Sequence, residues 1–288
     1  MVIERAVTFD CGHEVLVGVV HDPAPPVADA GILIVVGGPQ YRVGSHRQFV
    51  LMARRFAGAG HAVFRFDSRG MGDSSGSTRT FESIRDDIES AVARFFIEVP
   101  SIRRVIVFGL CDGASAALLF CVSNPRVSGL ILANPWVHTE SGGATVRLRS
   151  YYAKRLLQGS FWAKLSLGRV SLQESSRALL SEWMASRSSG GTQESAGPGD
   201  FVSRMRNGMC RFGGSVLIVL SEHDFTADEF RLLLTQSPEW AKCVRNTNIR
   251  VVSVPNADHT FSRAVELSAL CDLILRWIPV PDGNGKQI

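Results

Sequence analysis

Apolar and polar residues alternate along the chain in two rhythms, one typical of strands and one typical of helices. Two stretches near 4–9 and 14–20, separated by Cys-Gly-His, alternate residue by residue and predict a hairpin. Short apolar runs follow at wider intervals, and the first is apolar throughout, which is typical of a strand buried on both faces. The runs predict six further strands, at 31–36, 61–67, 104–109, 127–134, 215–220 and 249–254.

Segments with helical spacing lie between these runs. They predict helices at 45–60, 80–99, 112–123, 226–236 and 260–277. Because strands and helices alternate with short connections, the sequence predicts an α/β fold with a mainly parallel eight-stranded sheet and helices on both of its faces.

The alternation is interrupted after the sixth predicted strand. Residues 137–210 contain two helical patterns and no strand pattern, and a Gly/Ser-rich stretch at 186–200 is typical of a flexible loop. An all-helical insertion at this point is expected above the carboxyl ends of the strands, where open α/β sheets bind ligands. The sequence therefore predicts a core formed by 1–136 and 211–288, with 137–210 as a helical lid.

The composition is that of an ordinary globular enzyme and argues against several other classes. Apolar residues make up 45% and charged residues 20%, and a net charge of +4 is too small to indicate a nucleic-acid partner. The N-terminus lacks the basic start and apolar core of a signal peptide, and no apolar stretch approaches the ~18 to 20 residues of a membrane span. We therefore expect no nucleic-acid partner and no stable membrane insertion.

The cysteines are scattered and form no C-x-x-C pair. There are six of them, Cys11, Cys111, Cys121, Cys210, Cys243 and Cys271. This distribution is typical of reduced thiols and differs from that of a disulfide framework or a zinc site. The sequence therefore predicts a cytoplasmic protein with no structural metal.

One cysteine lies where a predicted strand turns into a predicted helix, within Gly-Leu-Cys-Asp-Gly at 109–113. This frame resembles the G-x-S-x-G nucleophile elbow of α/β-hydrolases, with cysteine in the place of serine. The helix N-terminus favours an anionic sulfur, whereas the neighbouring Asp112 opposes one, so a base is required as well. We interpret Cys111 as a nucleophile; the alternative is a buried core cysteine, the commoner role of this residue type.

A base and an orienting acid follow the last two predicted strands. Asp224 comes shortly after the seventh strand and His259 after the eighth, which gives the chain order nucleophile, acid, histidine of α/β-hydrolases. Asp228, one turn further, and Asp258, next to the histidine, are the weaker candidates for the acid. A thiol, an imidazole that takes its proton and a carboxylate that fixes the tautomer form a complete catalytic set.

The loop after the third predicted strand, 35–47, is expected to complete the site. An oxyanion hole requires two backbone donors beside the nucleophile, and the first is the N–H of Asp112. Because Pro39 has no N–H, the second donor is either Gly38 or Gln40. Three side chains near these loops are predicted to contact the substrate, namely Tyr41, His46 and Trp136.

Further segments resemble known families. The D-x-R-G-x-G-x-S signature of the α/β-hydrolase superfamily is matched by Asp67, Arg69, Gly70, Gly72 and Ser74. The Gly-Gly-Pro-Gln segment at 37–40 resembles the H-G-G-P-G oxyanion turn of proline iminopeptidases. Both segments, together with the elbow, Asn-Pro-Trp-Val-His-Thr-Glu at 134–140 and Asp-His-Thr-Phe-Ser at 258–262, resemble the exosortase A system-associated hydrolase 1 family.

This resemblance implies an α/β-hydrolase fold over nearly the whole chain. It also implies a link to bacterial exopolysaccharide and protein-sorting loci, because the family is defined by that genomic context. For the same reason it says little about the substrate.

Taken together, the residues predict an acyl hydrolase that acts on an ester or thioester through an acyl-thioester on Cys111. The expected partner is a small-molecule acyl substrate, with no cofactor and no metal, and no feature of the sequence sets an oligomeric state. An acyltransferase shares the same acyl-enzyme and stays open as an alternative. A non-catalytic scaffold and a redox sensor are further alternatives. The presence of Asp224 and His259 argues against the scaffold. The redox sensor would need a second cysteine on another active-site loop to react with oxidised Cys111, and the sequence places none there.

Overall fold

The computed structural model describes residues 2–25, 27–38, 40–137 and 200–278. Eight strands within these ranges form one sheet, with the spatial order β1-β2-β4-β3-β5-β6-β7-β8. Their bounds are β1 Glu4–Cys11, β2 Glu14–His21, β3 Ala30–Val35, β4 Val63–Phe66, β5 Arg104–Leu110, β6 Val127–Ala133, β7 Ser215–His223 and β8 Ile249–Asp258. The β1–β2 and β2–β4 pairs are antiparallel and all other neighbours are parallel, which confirms the predicted sheet.

Helices cover both faces of this sheet. In the part of the chain that the structure describes they are α1 Gln48–Gly58, α2 Arg85–Glu98, α3 Asp112–Phe120, α4 Asp200–Arg211, α5 Phe225–Gln236, α6 Pro238–Cys243 and α7 Ala264–Trp277, with a 3₁₀ turn at Phe81–Ser83. Buried side chains of α1 and α7 share one core with the sheet, and those of α2 to α6 share the core on the opposite face.

Strand β3 shows why the central strands are apolar throughout. All six of its residues are buried. Because successive side chains of a strand point to opposite faces, Ile32 and Ile34 pack into the core under α1 and α7, whereas Leu33 and Val35 pack into the core under α2 and α3. A strand with helices on both faces has no solvent side on which a polar residue is stable.

The predicted lid lies mostly outside the described residues, including its two helical patterns at 146–165 and 171–185 and the Gly/Ser-rich stretch. The chain is described again from the start of α4. Buried Phe201, Met205 and Met209 of this helix belong to the same core as α2 and α3, at spacings that place them on one helix face. Helix α4 therefore packs on the sheet core although it precedes residue 211.

A disulfide corrects the expectation that all six cysteines are reduced. Cys210 at the end of α4 is bonded to Cys243 at the end of α6, with a Cα–Cα distance of 5.3 Å, and the other four cysteines are free. The two cysteines are 33 residues apart in sequence, a separation that matches no disulfide or metal-site motif. The helix that carries Cys243, α6, is also absent from the helices predicted from the sequence. One of the observations behind the cytoplasmic prediction is thereby removed.

Within the described ranges, none of the helices has both the length and the apolar character needed to cross a bilayer.

Candidate active site

Cys111 lies at a sharp turn between β5 and α3. Its backbone has φ 59° and ψ −126°, a conformation that non-glycine residues rarely adopt and that is found at functional sites. The flanking glycines are required by close packing. A Cβ at Gly109 is placed 2.4 Å from the Gly113 carbonyl oxygen, and one at Gly113 is placed 2.6 Å from the Val35 carbonyl oxygen. The glycine frame thus allows the strand-to-helix turn that presents the thiol.

The predicted base and acid meet next to this turn. His259 follows β8, Asp224 follows β7, and His259 Nδ1 lies 2.9 Å from Asp224 Oδ2. Asp224 is buried and is the N-cap of α5, where its two carboxylate oxygens accept the backbone N–H groups of Thr226 and Ala227 at 3.2 and 3.1 Å. The carboxylate is therefore held rigidly at the end of the sheet.

The electrostatics couple the imidazole to both partners. The hydrogen bond with Asp224 and, next in size, a hydrogen bond with the Cys111 thiol raise the pKa of His259 from 6.5 to about 10. At neutral pH the imidazole is consequently a cation beside the sulfur. A neighbouring imidazolium stabilises the thiolate, which is the nucleophilic form of cysteine.

The two weaker candidates for the acid have other partners. Asp228 forms an ion pair with Arg231 at 2.8 Å on α5. Asp258 accepts the backbone N–H groups of Thr260 and Ser262 at 3.1 and 3.0 Å and so closes the turn that follows β8. The structure therefore brings Asp224, and neither of these residues, to His259.

The predicted oxyanion loop approaches the start of α3. The N–H of Gly38, whose φ is +64°, donates to Asp112 Oδ2 at 2.8 Å, so this donor is aimed at the elbow. The N–H of Gln40 instead donates to the Gly38 carbonyl oxygen at 2.8 Å. This geometry favours Gly38 over Gln40 as the second donor, and the role of either N–H in an oxyanion hole stays a prediction.

Tyr41 and His46 have their polar groups engaged by the protein. The Tyr41 hydroxyl donates to Asp73, and the ring is 41% exposed. His46 Nε2 lies 2.9 Å from the carbonyl oxygen of Thr260, so it connects the predicted oxyanion loop to the residue after His259. Both side chains thus connect the oxyanion loop to neighbouring loops, and their contact with substrate stays a prediction.

Trp136 lies beside the elbow, and its predicted contact with substrate stays a prediction. Its backbone N–H donates to the Cys111 carbonyl oxygen at 3.3 Å. Its ring stacks on Phe201 of α4 with a centroid distance of 5.5 Å and meets the edge of Phe81 at 5.4 Å. The three rings form an aromatic cluster between the elbow, the 3₁₀ turn and α4.

Asn134 is a positioning residue that the sequence analysis missed. It is fully buried with φ 45°, and its amide nitrogen donates to the His259 carbonyl oxygen at 3.0 Å and to Ser221 Oγ at 2.9 Å. Its amide oxygen accepts the Ser221 N–H at 2.8 Å. One side chain thus connects the ends of β6, β7 and β8. The available signal was an asparagine between a buried strand and a proline.

The D-x-R-G-x-G-x-S signature braces the oxyanion loop. Buried Asp67 accepts the Arg42 backbone N–H at 2.6 Å and also bonds the Arg42 guanidinium. Arg69 in turn donates to Asp87 of α2 at 2.7 Å. A Cβ at position 72 would lie only 2.3 Å from the Asp67 carboxylate, so glycine is the residue that fits there. The signature is therefore structural support for the loop that carries Gly38.

A cavity of about 400 Å³ opens beside the elbow. Its walls are the oxyanion loop, the start of α3 and the segment between β4 and α2, which contributes the apolar side chains of Met71, Phe81 and Ile84. In the part of the chain that the structure covers, no group of three or more His, Cys, Asp or Glu side chains is placed to hold a metal ion.

Comparison with known families agrees with this architecture. The sequence profile of the family described as serine aminopeptidase, S33 matches residues 30–188, which is more than half of the chain. The chain belongs to the serine aminopeptidase S33 family. This makes it an α/β-hydrolase-fold member of a hydrolase family. No curated protein sequence matches this S33 chain significantly.

Solved structures of the same fold include several esterases. The esterase Pf2001 of Pyrococcus furiosus has a TM-score of 0.63 at 16% identity, covering 96% of this chain and 94% of that chain. Est1E of Butyrivibrio proteoclasticus, solved with ferulic acid bound, has a TM-score of 0.60 at 16% identity, with coverages of 95% and 99%. A thermostable carboxyl esterase of Bacillus coagulans, in complex with glycerol, has a TM-score of 0.62 at 13% identity, with coverages of 96% and 98%. At these identities the likeness establishes the fold.

Proposed function

We propose that the protein is an acyl hydrolase that cleaves an ester or thioester through a covalent acyl-thioester on Cys111. The observation that carries the proposal is the alignment of Cys111, His259 and Asp224 at the carboxyl ends of three strands, with an imidazolium beside the thiol. The esterases among the solved structures of this fold support the choice of an ester bond. The family is named for a serine, whereas the nucleophile proposed for this protein is the thiol of Cys111.

Acylation begins with attack of the Cys111 thiolate on the carbonyl carbon of the substrate. A C–S bond forms, and the carbonyl π pair moves to oxygen, where the N–H groups of Gly38 and Asp112 are the expected donors. The tetrahedral intermediate then collapses, the bond to the leaving alcohol or thiol breaks, and His259 gives its Nε2 proton to that group. Asp224 keeps the imidazole oriented through Nδ1 throughout.

Deacylation uses the same groups with water. The now neutral His259 takes a proton from water as the oxygen attacks the thioester carbonyl carbon. The second tetrahedral intermediate expels the Cys111 thiolate and releases the carboxylic acid, so the thiolate–imidazolium pair is restored. An acceptor alcohol or amine in the place of water gives acyl transfer by the same steps.

The substrate is proposed to be a small acyl compound that fits the cavity beside the elbow. The resemblance to the exosortase A system-associated hydrolase 1 family supports a role in a bacterium with exopolysaccharide and protein-sorting loci. The apolar walls from Met71, Phe81 and Ile84 favour an apolar acyl or alcohol portion at this side of the site.

The test is intact-protein mass spectrometry after incubation with a panel of p-nitrophenyl esters and acyl thioesters. We expect the mass of one acyl group to be added and then lost, and peptide mapping to place it on Cys111. The Cys111→Ala variant is the matched control and gains no acyl group. Acylation of that variant, or the absence of acylation in the wild type with the whole panel, would falsify the proposal.

A further inference from the structure

The oxyanion hole of this structure is filled by a side chain of the protein. The N–H of Gly38 donates to Oδ2 of Asp112 at 2.8 Å, and the backbone N–H groups of Asp112 and Gly113 act on the pKa of that carboxyl in the direction of the ionised form. Gly38 and Asp112 are the two donors assigned above to the substrate's oxyanion. The Gly38 donor is therefore engaged by an internal carboxylate, which carries its charge beside the second donor.

Close packing confirms that the carboxylate is inserted between the loop and the helix. A Cβ added at Gly37 would lie 2.0 Å from Asp112 Oδ1, and a Cβ added at Gly38 would lie 3.8 Å from Asp112 Oδ2. Both glycines and Asp112 line the cavity beside the elbow. The carboxylate thus occupies the end of the cavity where the N–H donors converge.

A carboxylate in this place opposes the proposed reaction in two ways. The donors it accepts from are not free for a carbonyl oxygen, and its charge repels the oxyanion that develops beside the thiol. Binding energy from other parts of the substrate must then be used to displace it. Burial raises the pKa of Asp112, whereas the N–H of Gly38 and, more weakly, the positive field of His259 oppose that rise and favour the ionised carboxylate.

We propose that Asp112 is a resident occupant of the oxyanion hole that each substrate must displace, and that this displacement makes it a specificity-determining residue. The inference rests on the proposed acyl-transfer function. Small, weakly held esters react slowly because they lack the binding energy to move the carboxylate. Substrates that fill the cavity react faster because they eject it from the N–H donors. No bond to Asp112 is made or broken.

The experiment compares Asp112→Ala with the wild type in the full chain. Two rates are measured, namely the p-nitrophenol burst with p-nitrophenyl acetate and the alkylation of Cys111 by iodoacetamide. Acylation needs the oxyanion hole, whereas alkylation at a saturated carbon forms no oxyanion. Dividing the first rate by the second removes any change in the reactivity of the thiol itself.

We expect the ratio to be about tenfold or more higher in the alanine variant than in the wild type. The Asp112 carboxylate, which competes with the substrate through a charge-assisted hydrogen bond, is then absent, so the N–H donor is free for the oxyanion. Asp112→Asn keeps a neutral occupant of the same shape, so its ratio rises by less. Asp228→Ala removes a carboxylate from the first turn of another helix, where it pairs with Arg231, and is the matched control with an unchanged ratio.

A ratio that stays level or falls in both Asp112 variants, with a burst in the wild type, overturns the inference and leaves the proposed function intact. That result would mean that the Asp112 carboxyl group takes part in catalysis or stabilises the fold. A burst that is missing from the wild type and present in Asp112→Ala supports the inference strongly. If neither the wild type nor any variant is acylated by any ester or thioester of the panel, the proposed function fails and the inference fails with it.

Discussion

Asp224 serves two structural purposes with one carboxylate, because the oxygen that lies 2.9 Å from His259 Nδ1 also accepts the N–H of Ala227 in the first turn of α5. The orientation of the imidazole is therefore coupled to the start of a helix that packs on the sheet. The helix fixes the acid, the acid fixes the tautomer, and the hydrogen bond raises the pKa of His259 to about 10. A substitution at Asp224 consequently acts on the proton at Nδ1 as well as on the cap.

The first prediction concerns Asp224→Asn. An asparagine keeps the N-cap of α5 but can present its amide N–H to Nδ1 and so favour the wrong tautomer. Turnover of an activated ester should fall by up to about four orders of magnitude if serine-protease behaviour transfers, and by less if the acidity of the thiol compensates. Asp228→Asn is the matched control and should stay near the wild type. A larger loss at position 228 than at 224 would show that the acid is misassigned.

The second prediction concerns the reactivity of the free thiols. Cys111 is part-exposed beside an imidazolium, whereas burial raises the pKa of Cys121 and Cys271 to about 12 and also raises that of Cys11. Iodoacetamide at neutral pH should therefore alkylate Cys111 first in the folded protein. Peptide mapping over a time course measures the order. Earlier labelling of a buried cysteine would contradict the placement of the nucleophile.

The placement of the three candidate catalytic residues could be predicted because it is fixed by topology. Parallel strands place their carboxyl ends at one edge of the sheet, so Cys111, Asp224 and His259 meet although they are far apart in sequence. The apolar runs located each strand to within a few residues. Position relative to a strand end is therefore enough to nominate these side chains.

Other features depend on details that no pattern of apolar residues encodes. The direction of the Gln40 N–H follows from the turn around Gly38, and the Asp112 carboxylate could be aimed at solvent or at the oxyanion loop with the same sequence. The Cys210–Cys243 disulfide depends on α6, a helix of six residues that is too short for a clear periodicity. Tertiary contacts decide all three.

The third prediction tests the glycine frame of the elbow. In Gly109→Ala the new Cβ meets the Gly113 carbonyl oxygen at 2.4 Å, a backbone atom that cannot move alone, so the free energy of unfolding should fall by about 1–3 kcal/mol. Gly58→Ala on α1 is the control, since its Cβ meets nothing within 4 Å and it should be neutral or stabilising by up to about 1 kcal/mol. Urea denaturation measures both. Equal effects of the two substitutions would refute the packing argument.

The last prediction follows from the raised pKa of His259. A folded-state pKa of about 10 against 6.5 means that the imidazolium contributes stability that is fully present below pH 6.5 and is lost as pH rises through about 10. The same proton is needed by a poor leaving group, so kcat for an alkyl ester should fall over that alkaline range.

A p-nitrophenyl ester is the internal control for this profile, because its leaving group departs without a proton and its rate should fall less. Asp224→Asn removes the largest cause of the raised pKa, so both the loss of stability and the fall in kcat should move to lower pH. The measurements are pH profiles of kcat and of the urea midpoint for wild type and variant. Superimposable alkaline limbs in the two proteins would mean that Asp224 does not set the proton affinity of His259.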